Sequence, residues 1–149
     1  MSLSIAAVII GRNEGARLER CLASLSGQGL RLIYVDSGSR DNSVAAARAA
    51  GAEVVELDPA TPFTAARARS AGVAALAGDM PDAVQFVDGD CAVVPGWIAA
   101  GARALQDDPT LALSPAGAPS FTPNAAFITR FAITNGTARR VRSWPVAAI

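Results

Sequence analysis

The stretch Val84-Gln85-Phe86-Val87-Asp88-Gly89-Asp90 is a short apolar run that ends in two carboxylates separated by one glycine. Its first four residues include β-branched and aromatic side chains, which predicts a buried strand. Side chains alternate along a strand, so Asp88 and Asp90 are expected to point to the same side. Gly89 would let the backbone bend or a ligand come close.

Two converging carboxylates form a site for a hard cation such as Mg²⁺ or Mn²⁺, which completes its shell with water and substrate phosphate. A strand that simply ends in polar residues at a turn would show the same pattern. The choice between these interpretations depends on the rest of the chain.

Apolar runs and helical patterns alternate on the amino-terminal side of this stretch. The sequence predicts strands over 4–10, 31–36, 53–57 and 84–87, and helices over 16–25, from Asp41 or Asn42 as N-cap to Gly51, and over 64–77. This alternation predicts a Rossmann-like α/β fold whose mainly parallel sheet is flanked by helices. Ligands of such sheets bind beyond the carboxyl ends of the strands. The loop after the first strand, Asp36 after the second, and Asp88 with Asp90 after the fourth should therefore share one edge.

Composition removes several kinds of chemistry. The chain has no histidine, and its 13 basic residues are all arginine. Catalytic Ser-His-Asp and Cys-His groups, histidine-ligated zinc, Schiff-base lysines and a Walker lysine are therefore excluded. No stretch approaches the roughly 18 apolar residues of a membrane span, and the start does not resemble a signal peptide, so a cytoplasmic chain without a transmembrane segment is expected. Cys21 and Cys91 lack CxxC spacing and are expected to be reduced and structural.

The charge distribution predicts a boundary near Pro109. Residues 1–108 contain all 13 acidic groups and nine arginines, whereas residues 109–149 contain four arginines, five of the nine prolines and no acid. We expect an α/β domain over 1–108 and an atypical tail or truncated acceptor region over 109–149.

Four stretches, in this order and spacing, resemble the nucleotide-binding half of family 2 glycosyltransferases with the A-type fold. They are Val8-Ile9-Ile10-Gly11-Arg12-Asn13-Glu14-Gly15, Val35-Asp36-Ser37-Gly38-Ser39-Arg40-Asp41-Asn42-Ser43, Ala66-Arg67-Ala68-Arg69-Ser70-Ala71-Gly72 and Phe86-Val87-Asp88-Gly89-Asp90. The resemblance covers residues 5 to about 108 and is expected to fade after Leu113. It implies a fold of the nucleotide-diphospho-sugar transferase type with an incomplete C-terminal half.

The resemblance also implies roles for individual residues. The nucleotide would be held by Gly11, Asn13, Glu14, Asp36, Ser37, Arg69 and Asp88. Asp36 would contact the base, usually uracil, and Asp88 would lie near the ribose. Asp90, with Asp88, would ligate a divalent Mn²⁺ or Mg²⁺ that bridges the two phosphates.

Three of these roles have alternatives. Asp36 is suited either to accept from a uracil N–H or to cap the loop that follows it. Glu14 would accept from the ribose or cap the first helix. Arg67 and Arg69 lie about 200° apart on a helix, so only one can face the phosphates, and the family pattern favours Arg69.

No Asp, Glu or His follows Asp108, so residues 109–149 contain no general base and the catalytic residue is unknown. A fragment, a degenerate paralogue and a frameshifted reading of a longer gene are all compatible with this composition. The expected partners are a nucleotide-sugar donor and an unknown sugar or lipid-linked acceptor, with no nucleic acid; peripheral membrane association is left open. The alternatives are a phosphohydrolase of the haloacid dehalogenase type and a non-catalytic protein that binds a nucleoside diphosphate.

Overall fold

A computed structural model describes residues 3–107 in full and the backbone of three short strands beyond them. The elements, in chain order, are β1 (Ile5–Gly11), α1 (Ala16–Leu25), β2 (Arg31–Asp36), α2 (Ser43–Ala49), β3 (Glu53–Glu56), α3 (Ala65–Ala75), β4 (Ala83–Asp88), α4 (Trp97–Asp107), β5 (Phe127–Arg130), β6 (Ala132–Thr134) and β7 (Thr137–Arg139). The tail and the boundary predicted near Pro109 lie largely outside the described residues, so the two-part division stays a prediction.

Five strands form one sheet in the order β3-β2-β1-β4-β5. The first four are parallel, which confirms the predicted α/β class. β5 pairs with β4 in the antiparallel direction, and Phe127 lies opposite Phe86. β6 and β7 form a separate antiparallel pair.

The sheet buries apolar side chains on both faces, as expected of a parallel sheet covered by helices. One face of β1 contributes Ala7 and Ile9 to a core that includes residues of α1 and α4. The other face contributes Val8 and Ile10 to a core completed by α3. Every residue of β1 is buried, so the apolar run that predicted this strand is explained by packing on two sides.

Helix α3 lies very close to the sheet at Gly72. A Cβ added there would lie 2.3 Å from Val8 Cγ1 and 3.1 Å from Val35 Cγ2, distances at which something must shift. This glycine therefore sets the spacing between α3 and the sheet, and with it the position of Arg69 one turn earlier on the same helix.

The structure corrects the predicted elements in detail. β1 extends to Gly11, which was expected in the loop, and β3 ends at Glu56 instead of residue 57. Helix α2 has Asn42 at its N-cap, but the Asn42 side chain makes no capping hydrogen bond; instead Asp41 Oδ1 accepts from Ser43 N, at the first residue of the helix, over 3.0 Å. No element was predicted over Trp97–Asp107, where the structure has α4.

Candidate functional site

The carboxyl ends of β1, β2 and β4 meet at one edge of the sheet, as predicted. Gly11 lies opposite Asp36 in the β1–β2 ladder, and Ile10 lies opposite Asp88 in the β1–β4 ladder. Backbone hydrogen bonds continue past the strand ends, from Ser37 N to Gly11 O over 3.1 Å and from Gly89 N to Ile10 O over 2.8 Å. The three loops that follow these strands are therefore fixed relative to one another.

Asp36 organises the loop after β2. Its side chain is buried, with 3% of the residue exposed. Oδ2 accepts from Gly38 N at 2.9 Å and from Ser39 N at 2.8 Å, while Oδ1 accepts from the Tyr34 hydroxyl at 3.1 Å. The structure therefore shows the loop-capping alternative for Asp36, and its contact with a base stays a prediction. Burial, assisted by the nearby Asp36 carboxylate, raises the pKa of Tyr34 above its ordinary value.

Asn13 joins the loop after β1 to the loop after β2. Its backbone N–H donates to Ser39 Oγ over 2.9 Å, and its Oδ1 accepts from Arg40 N over 2.7 Å. To make both contacts Asn13 adopts a φ of 54°, a left-handed conformation that asparagine tolerates better than most residues. The side-chain oxygen of Asn13, a residue predicted to hold the nucleotide, thus helps to hold two loops together.

Glu14 packs across the ends of β1 and β4. A Cβ at Gly11 would lie 3.0 Å from Glu14 Cγ, and a Cβ at Gly89 would lie 3.2 Å from the same atom and 3.2 Å from Ile10 O. A side chain at either position would therefore be tightly packed and would need Glu14 to shift by a few tenths of an ångström, and φ at Gly89 is not in the left-handed region. No side chain caps α1, whose N-cap is Gly15, so the capping alternative for Glu14 is not observed.

Arg69 is the arginine that faces the site. Its Nη2 donates to Asp88 Oδ1 over 2.9 Å, and the two side chains are 27% and 39% exposed. Arg67 points elsewhere and donates to the carbonyl oxygens of Asp58 and Thr61. The family pattern that favoured Arg69 over Arg67 therefore agrees with the geometry.

Three buried side-chain atoms have no hydrogen-bond partner within the described part of the chain. They are Glu14 Oε2, Ser37 Oγ and Arg69 Nε. Glu14 Oε2 lies 2.9 Å from Arg17 Nη2, which is an ion-pair distance, but the hydrogen-bond geometry is not met. All three belong to residues predicted from sequence to hold a nucleotide. Buried polar atoms usually have hydrogen-bond partners, so these three atoms make this sheet edge a candidate site for a polar ligand, although Glu14 Oε2 already has an ion pair with Arg17.

Asp90 is exposed, and its Oδ1 lies 3.4 Å from the Cys91 Sγ. Within residues 3–107 no three carboxylate or thiol side chains converge into a metal cluster. Asp88 and Asp90 supply hard oxygen donors from one short loop, which suits a cation that takes only one or two carboxylates from the protein. The donor set therefore fits Mg²⁺ or Mn²⁺.

Cys21 on α1 and Cys91 within this loop are buried thiols that form no disulfide with each other. Burial raises the pKa of Cys21 to about 12 and that of Cys91 to about 11, and the neighbouring acidic groups add to both shifts. Neither thiol is therefore primed as a nucleophile at neutral pH.

The sequence pattern assigned no role to Tyr34, Ser39 or Ser43. Ser43 Oγ accepts from Gly15 N over 3.2 Å and so adds a third tie between the first two loops. The polar composition of the Ser37–Ser43 loop signalled hydrogen bonding, but a partner 28 residues away along the chain cannot be read from local pattern.

A groove lies at the opposite edge of the sheet. It has a volume of about 890 Å³ and is lined by the starts of β1 and β2 and by α4, including Leu3, Ile5, Leu30, Ile98 and Arg103. None of the predicted site residues lines it, so this groove is separate from the candidate site at the carboxyl edge.

Solved structures share this architecture. The TarS fragment 1-349 from Staphylococcus aureus superimposes with a TM-score of 0.62 at 16% identity, over 86% of this chain and 47% of that one. The fold is therefore that of the A-type glycosyltransferases. Glucosyl-3-phosphoglycerate synthase from Mycobacterium tuberculosis, solved with Mn²⁺ and UDP-glucose, is 31% identical over 58% of this chain and 33% of its own, with a TM-score of 0.45.

The chain belongs to glycosyl transferase family 2, whose family model matches residues 6–141. The match continues well beyond Leu113, where the resemblance was expected to fade. A TPR repeat-containing protein from Synechococcus elongatus is 45% identical over 71 residues, which are 48% of this chain and 17% of that protein. This chain thus spans less than half of each of these relatives. Among the described residues no helix has both the length and the apolar composition needed to cross a membrane.

Proposed function

We propose that this chain forms the donor-binding part of a glycosyltransferase that uses a nucleotide sugar, with a uridine diphosphate sugar as the expected donor. The observation that carries the proposal is the set of buried atoms without a hydrogen-bond partner on Glu14, Ser37 and Arg69 at the carboxyl edge. Family membership over residues 6–141 supports the same reaction class and removes the phosphohydrolase alternative.

A nucleoside diphosphate offers a hydrogen-bond partner to each of these three atoms. Glu14 Oε2 is an acceptor suited to a ribose hydroxyl, and Arg69 Nε is a donor suited to a phosphate or ribose oxygen. Ser37 Oγ can donate or accept. Arg69 also carries a positive charge that favours an anionic ligand beside Asp88, whose carboxylate it already neutralises in part.

Asp88 and Asp90 are the residues that would hold the divalent cation, Mn²⁺ or Mg²⁺. When bound, such a cation supplies Lewis-acid stabilisation to a leaving diphosphate. The exposed Asp90 is free of ion pairs within residues 3–107, whereas Asp88 shares its carboxylate with Arg69. Asp90 is therefore the main protein ligand of the cation in this proposal. Asp88 contacts the ribose side of the nucleotide as well as the cation.

The acceptor in this proposal is a sugar or a lipid-linked sugar, and the reaction takes place in the cytoplasm. Residues 109–149 contain no carboxylate or imidazole to deprotonate an acceptor hydroxyl. A purely binding role for this chain is therefore the competing proposal, and donor turnover separates the two.

Calorimetry of UDP binding with Mn²⁺ and with EDTA tests the proposal. We expect wild-type protein to bind UDP with Mn²⁺ and to lose at least tenfold in affinity with EDTA, which corresponds to about 1.4 kcal/mol. Asp90→Asn should remove the metal dependence. Asp107→Asn, at the end of α4 and exposed, is the matched control and should bind like wild type.

Equal affinity with Mn²⁺ and EDTA would remove the metal role. A larger effect of Asp88→Asn than of Asp90→Asn would reverse the assigned roles. Release of UDP from UDP-sugars during prolonged incubation supports a catalytic donor site, whereas tight binding without release favours the binding-only alternative.

A further inference from the structure

Helix α1 supports the loop that carries both carboxylates. Leu18, Cys21 and Ser24 recur every three residues along one face of the helix. A Cβ at Gly89 would lie 3.5 Å from Leu18 Cδ1, and Cys21 Sγ lies 3.9 Å from Asp88 O. One helix face therefore contacts the loop from Asp88 onward.

The Ser24 hydroxyl makes two hydrogen bonds on this face. Ser24 Oγ donates to Cys21 O over 2.6 Å and accepts from Val93 N over 2.9 Å. The first bond fixes the orientation of the hydroxyl, and the second uses it to hold the backbone of a buried residue, since Val93 is 5% exposed. Loss of this acceptor would leave a buried N–H without a hydrogen-bond partner, which is unfavourable and would loosen the loop at this point.

The loop from Asp88 to Val93 is thereby tied at both ends. Gly89 N donates to Ile10 O over 2.8 Å, and Cys91 N donates to Asp88 O over 2.9 Å. The bond from Val93 N to Ser24 closes the far end. Asp90 lies between these anchors with an exposed side chain, so its carboxylate is located by the backbone on either side of it.

We infer that Ser24 is a positioning residue for Asp90: through Val93 it sets where the Asp90 carboxylate meets a divalent cation, without contacting the cation itself. The inference rests on the proposed function, because it assigns a cation to Asp90. A functional carboxylate must be held within about 0.5 Å of its productive position, so release of one loop anchor lowers cation affinity even when the ligands are unchanged.

The test uses four proteins: wild type, Ser24→Ala, Ser24→Thr and Ser26→Ala. Thr keeps a hydroxyl at the position, and Ser26 is an exposed residue just beyond the end of α1. Mn²⁺ affinity in the presence of UDP is measured from the electron paramagnetic resonance signal of free Mn²⁺, and UDP affinity is also measured in EDTA. Hydrogen exchange of the Val93 amide and the urea midpoint are recorded for each protein.

We expect Ser24→Ala to lose about tenfold in Mn²⁺ affinity while its UDP affinity in EDTA stays as in wild type. Exchange at Val93 should become faster in the same variant. Ser24→Thr should restore most of the Mn²⁺ affinity, and Ser26→Ala should match wild type in every measurement. If Ser24→Ala does not fold, Ser24→Cys, with a longer and weaker acceptor, should give an intermediate loss.

Unchanged Mn²⁺ affinity in a folded Ser24→Ala or Ser24→Cys protein, despite faster exchange at Val93, would overturn the inference and leave the proposed function intact. A loss of UDP affinity in EDTA equal to the loss of Mn²⁺ affinity would show that Ser24 acts on the whole fold. This result would also overturn the inference. Absence of Mn²⁺-dependent UDP binding in wild-type protein would overturn the proposed function and, with it, the inference.

Discussion

Arg69 Nη2 donates to Asp88 Oδ1 over 2.9 Å, which joins helix α3 to the end of strand β4 at the candidate site. Because Nε of the same guanidinium is buried and unpaired, Arg69 can hold Asp88 and still donate to a ligand. Arg67, two residues earlier on the same helix, donates instead to the carbonyl oxygens of Asp58 and Thr61 in the loop before the helix. The two arginines therefore lie on one helix, but only Arg69 contacts Asp88 at the candidate site.

We predict that Arg69→Met weakens UDP binding by about tenfold or more, a change of about 1.4 kcal/mol, because both the charge and the free donor are lost. Arg69→Lys should lie between wild type and Arg69→Met, since it keeps the charge without the planar fork. Calorimetry with Mn²⁺ present gives the affinities. Arg67→Met is the control and should affect the unfolding midpoint more than the affinity; equal losses of affinity in the two Met variants would contradict the assignment.

Gly72→Ala should be strongly destabilising. The new Cβ would lie 2.3 Å from Val8 Cγ1, so α3 or the core of the sheet must move. Overpacking of this kind typically costs about 1–3 kcal/mol in the free energy of unfolding, measured by urea titration. At Gly78 a Cβ would meet nothing within 4 Å, so Gly78→Ala is the matched control and should leave the midpoint unchanged or slightly raised. Equal midpoints for the two variants would show that α3 does not pack as closely as described.

The sequence predicted the parts of the fold that local pattern controls. β2 (Arg31–Asp36) was predicted with its observed bounds, because an apolar run ended by a carboxylate marks a strand and its end. The meeting of Gly11, Asp36 and Asp88 followed from parallel topology alone. What local pattern could not supply was the partner of each polar group: Ser24 bonds a residue 69 positions away, and buried Gln85 accepts from Trp97 Nε1 of the unpredicted helix α4.

The site residues show the same division. The sequence allowed Asp36 either to contact a base or to cap its loop. Only the three-dimensional positions of the Tyr34 hydroxyl and the Ser39 amide show that both carboxylate oxygens of Asp36 accept hydrogen bonds within the protein. β5 could not be predicted from the sequence. It has only four residues, and it is defined as a strand by its pairing with β4, which local sequence pattern does not show.

The stability of the protein should fall at alkaline pH because of the buried thiols. Burial raises the pKa of Cys21 from 9.0 to about 12, so between these values the unfolded chain loses a proton that the folded chain keeps. Deprotonation then favours the unfolded state, and the free energy of unfolding decreases with pH above about 9, by at most about 1.4 kcal/mol per pH unit for this thiol. Below pH 9 the thiol makes no pH-dependent contribution.

Urea midpoints between pH 8 and pH 10.5 measure this effect. Cys21→Ala should show a shallower decline than wild type, and Cys91→Ala should lie between them, because the pKa of Cys91 is raised only to about 11. Parallel declines in all three proteins would mean that other groups account for the alkaline loss.

Tyr34 is the single tyrosine of the chain, and its hydroxyl is fully buried against Asp36. We predict that Tyr34→Phe lowers the free energy of unfolding by about 1–3 kcal/mol, because Asp36 Oδ1 loses its donor in a site where water is scarce. UDP affinity should fall several-fold as the loop after β2 loosens, whereas Mn²⁺ affinity should not change, since Asp90 lies on a different loop. A loss of Mn²⁺ affinity equal to the loss of UDP affinity would show that the substitution disturbs the whole edge.

The same tyrosine reports its own environment. Because burial raises its pKa above the usual value of 10.0, tyrosinate absorbance near pH 10 should be absent in the folded protein and appear in urea. The pKa of Tyr34 is raised because burial disfavours the charged phenolate and because the neighbouring Asp36 carboxylate repels it. With one tyrosine in the chain the absorbance change belongs to Tyr34 alone, and Tyr34→Phe supplies the baseline. Ionisation near pH 10 in the folded protein would mean that the hydroxyl reaches water and does not hold Asp36 in place.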